Sequence, residues 1–100
     1  MRDLTKAEWE AEGERRFGPD RMKWRFVCPV CKHVATPEDW MKSGAPDAAI
    51  AFSCVGRWIE GAQKAFESNK AGPCNYAGGG LFRLNPVKVD GEYGYFEFAD

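Results

Sequence analysis

The run Cys28-Pro29-Val30-Cys31 constrains this chain more than any other stretch. Two thiols three positions apart, with a proline between them, form a tight turn that presents both sulfurs to one point. Cys54 and Cys74 are the only other cysteines, which makes four. A tetrahedral Zn²⁺ bound by four thiolates uses all of them and would draw three distant parts of the chain together. Twenty-two residues lie between Cys31 and Cys54 and 19 between Cys54 and Cys74, so only one side of the set has the Cys-x-x-Cys pair. A redox Cys-x-x-Cys and inert buried cysteines are the alternative readings. Four thiolates close the shell and leave no position for water or substrate, so the expected site is structural. Such a site carries excess negative charge. Backbone donors, with Lys32 or Arg57 as candidate cations, are expected to moderate it.

One hundred residues make one domain, expected to span residues 1–100. A domain of this length buries only ~60–70% of its unfolded surface, so a metal staple adds noticeably to its stability. Charges nearly cancel at a net of −1. Residues 1–33 hold eight Lys/Arg against six Asp/Glu, and residues 71–100 hold two against four. That gradient is too mild for strong long-range attraction to nucleic acid or an anionic membrane. No signal peptide or membrane span is evident, the longest apolar run being Ala48 to Phe52. A reducing compartment follows as the expectation, one in which clustered thiols more often hold metal than form disulfides.

Along the chain, Thr5-Lys6-Ala7-Glu8 reads as a capping box that opens a helix ending near Gly18-Pro19, with Trp9 and Phe17 as its apolar stripe. Arg21 to Val27 alternates. Met22, Trp24 and Phe26 point one way and Arg21, Lys23 and Arg25 the other, which predicts a strand with one basic face. It leads into the cysteine turn, and His33-Val34-Ala35 is the return strand. Thr36-Pro37-Glu38-Asp39 starts a second helix that stops at Ser43-Gly44. A short helical stretch is expected from Ala45 to Phe52, and an amphipathic helix from Trp58 through Ala62 and Phe66, fading at Ser68-Asn69-Lys70. Leu81 to Leu84 suits a strand. Val87-Lys88-Val89, Asp90-Gly91 and Tyr93 to Phe98 form a hairpin around a favoured turn dipeptide.

Other chemistry is weakly supported. His33, the only histidine, could replace a cysteine ligand or serve as a base, but no companion nucleophile accompanies it. Glu38 and Asp39 are candidates for acid–base work, yet a first helical turn already accounts for them. Gly78-Gly79-Gly80 lacks the Lys-Ser/Thr and the strand-to-helix setting of a phosphate loop, and is read as allowing close backbone approach or positive φ. Arg21, Lys23, Arg25 and Lys32, with Trp24 interleaved, form the best nucleic-acid candidate.

With Phe26-Val27-Cys28-Pro29-Val30-Cys31, Thr36-Pro37-Glu38-Asp39-Trp40, Cys54-Val55-Gly56-Arg57 and Gly72-Pro73-Cys74-Asn75-Tyr76-Ala77-Gly78-Gly79-Gly80-Leu81-Phe82 in view, the chain resembles a family of short bacteriophage and prophage proteins without an established activity. The resemblance covers residues 20–98 and leaves the N-terminal helix, residues 1–19, outside its strongest part. It implies a phage accessory protein working in the host cytoplasm and treats the four thiols as one site. Zinc ribbons and treble clefs carry a second Cys-x-x-Cys, which is missing here, so a standard ribbon is not expected.

The expectation is therefore an α+β domain with a small antiparallel sheet, a knuckle hairpin at Cys28-Cys31, a C-terminal hairpin and two to four short helices, built around Zn²⁺ on Cys28, Cys31, Cys54 and Cys74. The expected role is non-enzymatic: binding a bacterial host protein, for example as an anti-CRISPR inhibitor. A nucleic-acid-binding zinc module is the rival.

Overall fold

The computed structural model describes residues 2–66, 72–81 and 83–100, with Tyr93 described by its backbone alone. The first element is a strand that no alternation announces, β1 (Arg2–Leu4). Thr5 then caps α1 (Lys6–Phe17): its hydroxyl accepts from the Glu8 N–H, and the Glu8 carboxylate accepts in return from the Thr5 N–H. Gly18 ends the helix at φ 90°.

The predicted strand from Arg21 forms only in part. Asp20 accepts from the Met22 N–H at 3.0 Å and turns Arg21–Lys23 into a single 3-10 turn. The strand proper is β2 (Phe26–Val27). Burial still alternates as the pattern requires, with Trp24 and Phe26 inside and Arg21, Lys23 and Arg25 outside. Local capping overrode the backbone, not the side-chain pattern. β3 (Val34–Ala35) returns antiparallel to β2, closing the expected knuckle hairpin. Thr36 opens α2 (Pro37–Lys42) with a second capping box, completed by Asp39, and proline at its first position.

Beyond α2 the expected helical stretch from Ala45 to Phe52 shortens to a 3-10 turn at Asp47–Ala49, and a second 3-10 turn, Val55–Trp58, forms ahead of the helix expected from Trp58. No helix forms across the described residues 59–66. Gly61 sits at φ 81°, incompatible with a continuing right-handed helix, and Gln63 instead pairs in parallel with Cys74. The predicted fade at 68–70 lies outside the described residues, as does Phe82 within the predicted strand 81–84; Leu81, Arg83 and Leu84 are not in a strand.

The C-terminal hairpin forms as expected, from β4 (Val87–Val89) and β5 (Glu92–Tyr95). Asp90 and Gly91 both take positive φ, 53° and 74°, as a two-residue turn of this hand requires. The last strand is interrupted. Phe96 leaves the ladder to donate its N–H to the Ala51 carbonyl at 2.7 Å, and β6 (Glu97–Phe98) joins a different sheet.

Two three-stranded sheets result, ordered β1-β4-β5 and β3-β2-β6. The second is antiparallel throughout, whereas β1 runs parallel to β4. An aromatic core is built on the second sheet, with Phe26, Ala35 and Phe98 among its members. Trp24, Trp40, Phe26, Phe96 and Phe98 are all at most 3% exposed, and Cys28, Cys54 and Cys74 belong to the same cluster. Trp9 stacks on Phe26 and Phe98 and meets Trp24 edge-on at 5.6 Å, so α1 is packed onto the core. Arg2 clamps both chain ends, donating to Glu12 on α1 and to Glu97 on β6 at 2.6–3.0 Å. Among the described residues no helix is long and apolar enough to cross a membrane.

Candidate metal centre

Three loops, each shaped by local hydrogen bonding, deliver the four sulfurs. In the first, the Lys32 N–H donates to the Cys28 carbonyl and the Cys28 N–H to the His33 carbonyl, both at 3.0 Å, with Lys32 at φ 65°. This tight turn leaves the Val30 N–H 3.4 Å from Cys28 Sγ. The second loop places Cys54 just before the 3-10 turn at Val55–Trp58. The third is the irregular segment around Cys74, where the Tyr76 N–H donates to Cys74 Sγ at 3.4 Å.

The second and third loops are joined directly. The Cys54 N–H donates to the Tyr76 carbonyl at 2.9 Å, and Gln63 holds Gly72 and Pro73 through its side-chain and backbone nitrogens. Gly78 supports the same region from behind. Its N–H donates to Ser53 Oγ at 3.0 Å, and a Cβ there would overlap the Phe52 carbonyl. Gly78 thus serves close backbone approach, and no member of the glycine triplet is at positive φ.

The Sγ atoms of Cys28, Cys31, Cys54 and Cys74 all lie within 4.8 Å of one another, and all four are free thiols. Cys28 and Cys74 approach to 3.9 Å, and Cys31 and Cys54 to 3.8 Å. A tetrahedron with metal–sulfur bonds of about 2.3 Å has edges of about 3.8 Å. The four sulfurs therefore form a site that can hold a metal ion. Its geometry suits a four-thiolate ligand set, with three of the four residues at 1% exposure.

The thiol acidities argue the same way. Cys54 is lowered to about 5 because Cys28 hydrogen-bonds to its thiolate, with the Gly56 and Cys74 N–H groups also directed at it. That bond, together with burial, pushes Cys28 up. Burial raises Cys74 to about 12. Burial thus opposes charge on Cys28 and Cys74, and a metal ion held by the four sulfurs would balance it.

The other sequence candidates have contacts of their own. His33 is half-buried beside the turn and is not within the sulfur group. Lys32 Nζ donates to the Pro29 carbonyl at 3.1 Å, and the Arg57 guanidinium lies over the Trp58 ring. Arg21 pairs with Glu10 at 3.0 Å and covers Trp24, while Arg25 covers Phe17. Arg21 and Lys23 sit on the 3-10 turn and not on a strand, and with Arg25 they stay exposed opposite the buried Trp24 and Phe26. Glu38 pairs with Lys42, and Asp39 caps α2.

Sequence reading missed a cleft of about 340 Å³ along the knuckle, lined by Pro29, Val30, Cys31, Phe66, Cys74 and Leu84 among others. No signal in the sequence points to it, since Phe66 reads there as part of a helix and Leu84 as part of a strand.

The chain belongs to the VVA0879-like family, whose model matches residues 5–99. The match includes α1, so the helix is part of the family unit and not an appendage to it. No curated protein and no solved structure matches the chain.

Proposed function

We propose that this member of the family is a phage-type accessory protein that holds one structural Zn²⁺ on Cys28, Cys31, Cys54 and Cys74 and works by binding a host protein in the bacterial cytoplasm. Zinc is favoured because a tetrahedral set of four thiolates satisfies its full coordination without an open position. The ion would then organise a surface, with no chemistry done at the metal. The partner in this reading is a host defence protein, a CRISPR effector being one concrete case, and the accessory protein inhibits it without catalysis.

The observation that carries the protein-binding reading is the apolar rim beside the knuckle. Phe66 is 61% exposed and Leu84 45% exposed on the same cleft, alongside Pro29 and Val30. Removing such apolar surface from water is favourable when a partner covers it. The engagement of Arg21 and Arg25 with Glu10 and Phe17 weighs against the nucleic-acid module.

The test is affinity capture from bacterial lysate with the zinc-loaded chain, repeated with Phe66→Asp and Leu84→Asp. A stoichiometric protein recovered by the wild type and lost in both variants, with zinc retained, supports the reading. Retention of nucleic acid that falls steeply with salt and with Arg21→Ala, in place of a protein, favours the rival module.

A further inference from the structure

The four sulfurs are not equivalent. Cys28 receives the Val30 N–H and Cys74 receives the Tyr76 N–H, each at 3.4 Å. Among the described residues no backbone N–H donates to Cys31 Sγ; its close contact is Cys54 Sγ at 3.8 Å. Cys31 is also the one of the four that is not fully buried; with the buried Cys74 it lines the cleft of about 340 Å³. Hydrogen bonds to a thiolate draw off the electron density with which it attacks an electrophile, and burial keeps reagents away. Cys31 has neither protection.

We propose that Cys31 is an oxidant-sensitive modification site, at which a hydroperoxide entering from the cleft triggers metal release with Cys54 as the resolving thiol. The inference rests on the four-thiolate zinc reading above. The Cys31 thiolate attacks one peroxide oxygen, the O–O bond breaks, and the leaving oxygen takes a proton and departs as water (or as an alcohol from an organic hydroperoxide). Cys31 is left as a sulfenic acid. Cys54 Sγ then attacks the Cys31 sulfur and forms the S–S bond, and the sulfenic oxygen leaves with a second proton as water. Two thiolates have given up two electrons, the peroxide has taken them, and the metal has lost two ligands. Zn²⁺ itself does not change oxidation state.

The experiment uses the zinc-loaded full chain, with metal content first established by native mass spectrometry. Hydrogen peroxide is added below stoichiometry, free thiols are trapped with N-ethylmaleimide, peptides are mapped, and released zinc is followed with a chromogenic chelator. The expected first product is the Cys31–Cys54 disulfide, appearing together with one released zinc ion. Without oxidant, N-ethylmaleimide should label Cys31 about tenfold faster than Cys28 or Cys74. Cys31→His keeps a four-ligand Cys₃His set and should retain zinc while slowing peroxide-driven release about tenfold. If that variant loses its zinc, the wild-type disulfide map alone decides the matter. A first disulfide that omits Cys31, from a chain shown to carry zinc, overturns this inference and leaves the zinc reading standing. A folded chain without metal overturns both.

Discussion

Gly56 lies so close to the Cys74 backbone that a Cβ at position 56 would overlap the Cys74 carbonyl oxygen. The glycine follows one candidate ligand, Cys54, by two residues, and the carbonyl belongs to another. Absence of a side chain at 56 is what allows the second and third sulfur-bearing loops to touch. Gly56 does not need positive φ; it needs the space.

Gly56→Ala is therefore expected to disrupt the site although alanine suits the backbone conformation. The clash is with main chain, which cannot rotate away, so a loss of about 1–3 kcal/mol is expected. Chemical denaturation should show a lower midpoint, and competition with a chelator should show weaker metal retention. Unchanged metal affinity would show that the two loops are not coupled in this way.

Metal removal should unfold much of the chain, because the four ligands share a cluster with the aromatic core. Trp40 is a built-in reporter: fully buried, it donates its indole N–H to the Ser53 carbonyl, beside Cys54, at 2.9 Å. Strong chelators should shift tryptophan emission to the red and abolish near-UV dichroism. Cys74→Ser should reproduce much of this without a chelator. A native-like spectrum in the apo chain contradicts the prediction.

Gly13→Ala should destabilise α1, the reverse of what alanine does in an exposed helix. There the replacement gains about 1 kcal/mol. Here the new Cβ would overlap the Trp24 ring, whose indole N–H is fixed to the Gly18 carbonyl at 2.8 Å. A net loss of about 1–3 kcal/mol is expected. Thermal denaturation of the metal-loaded variant checks the sign.

The Arg2 clamp should confer a pH dependence of known direction. Hydrogen bonds from Arg2 hold the Glu12 carboxyl below its ordinary value of 4.5. A depressed carboxylate contributes stability that is fully present above that ordinary value and is lost as pH falls through the lower folded value. Glu12→Gln should thus cost about 1 kcal/mol at neutral pH, modest because Arg2 is partly exposed. The gap from wild type should close on acidification below 4.5. Paired urea titrations at neutral and acidic pH measure it. A gap that widens toward acid contradicts the clamp.

The features legible in the residues alone lie within a few positions of their own cause. Thr5 with Glu8, Thr36 with Asp39, and Asp90 with Gly91 each carry their partners beside them, and each forms as the pattern predicts. The turn at Cys28–Cys31 is equally local. Tertiary structure decided the rest. β1 is only three residues long and exists because Pro86 and β4 offer a free edge, more than eighty positions away. The apolar spacing of Trp58, Ala62 and Phe66 did not become a helix, since Gly61 turns the chain and Gln63 binds the Cys74 loop. Phe96 left its strand for the Ala51 carbonyl, a partner no period-two pattern names. Four cysteines in the sequence say that a common site is available. Which sulfurs are sheltered by N–H groups, and that Cys31 is not, depends on loop geometry fixed only when the three segments pack together.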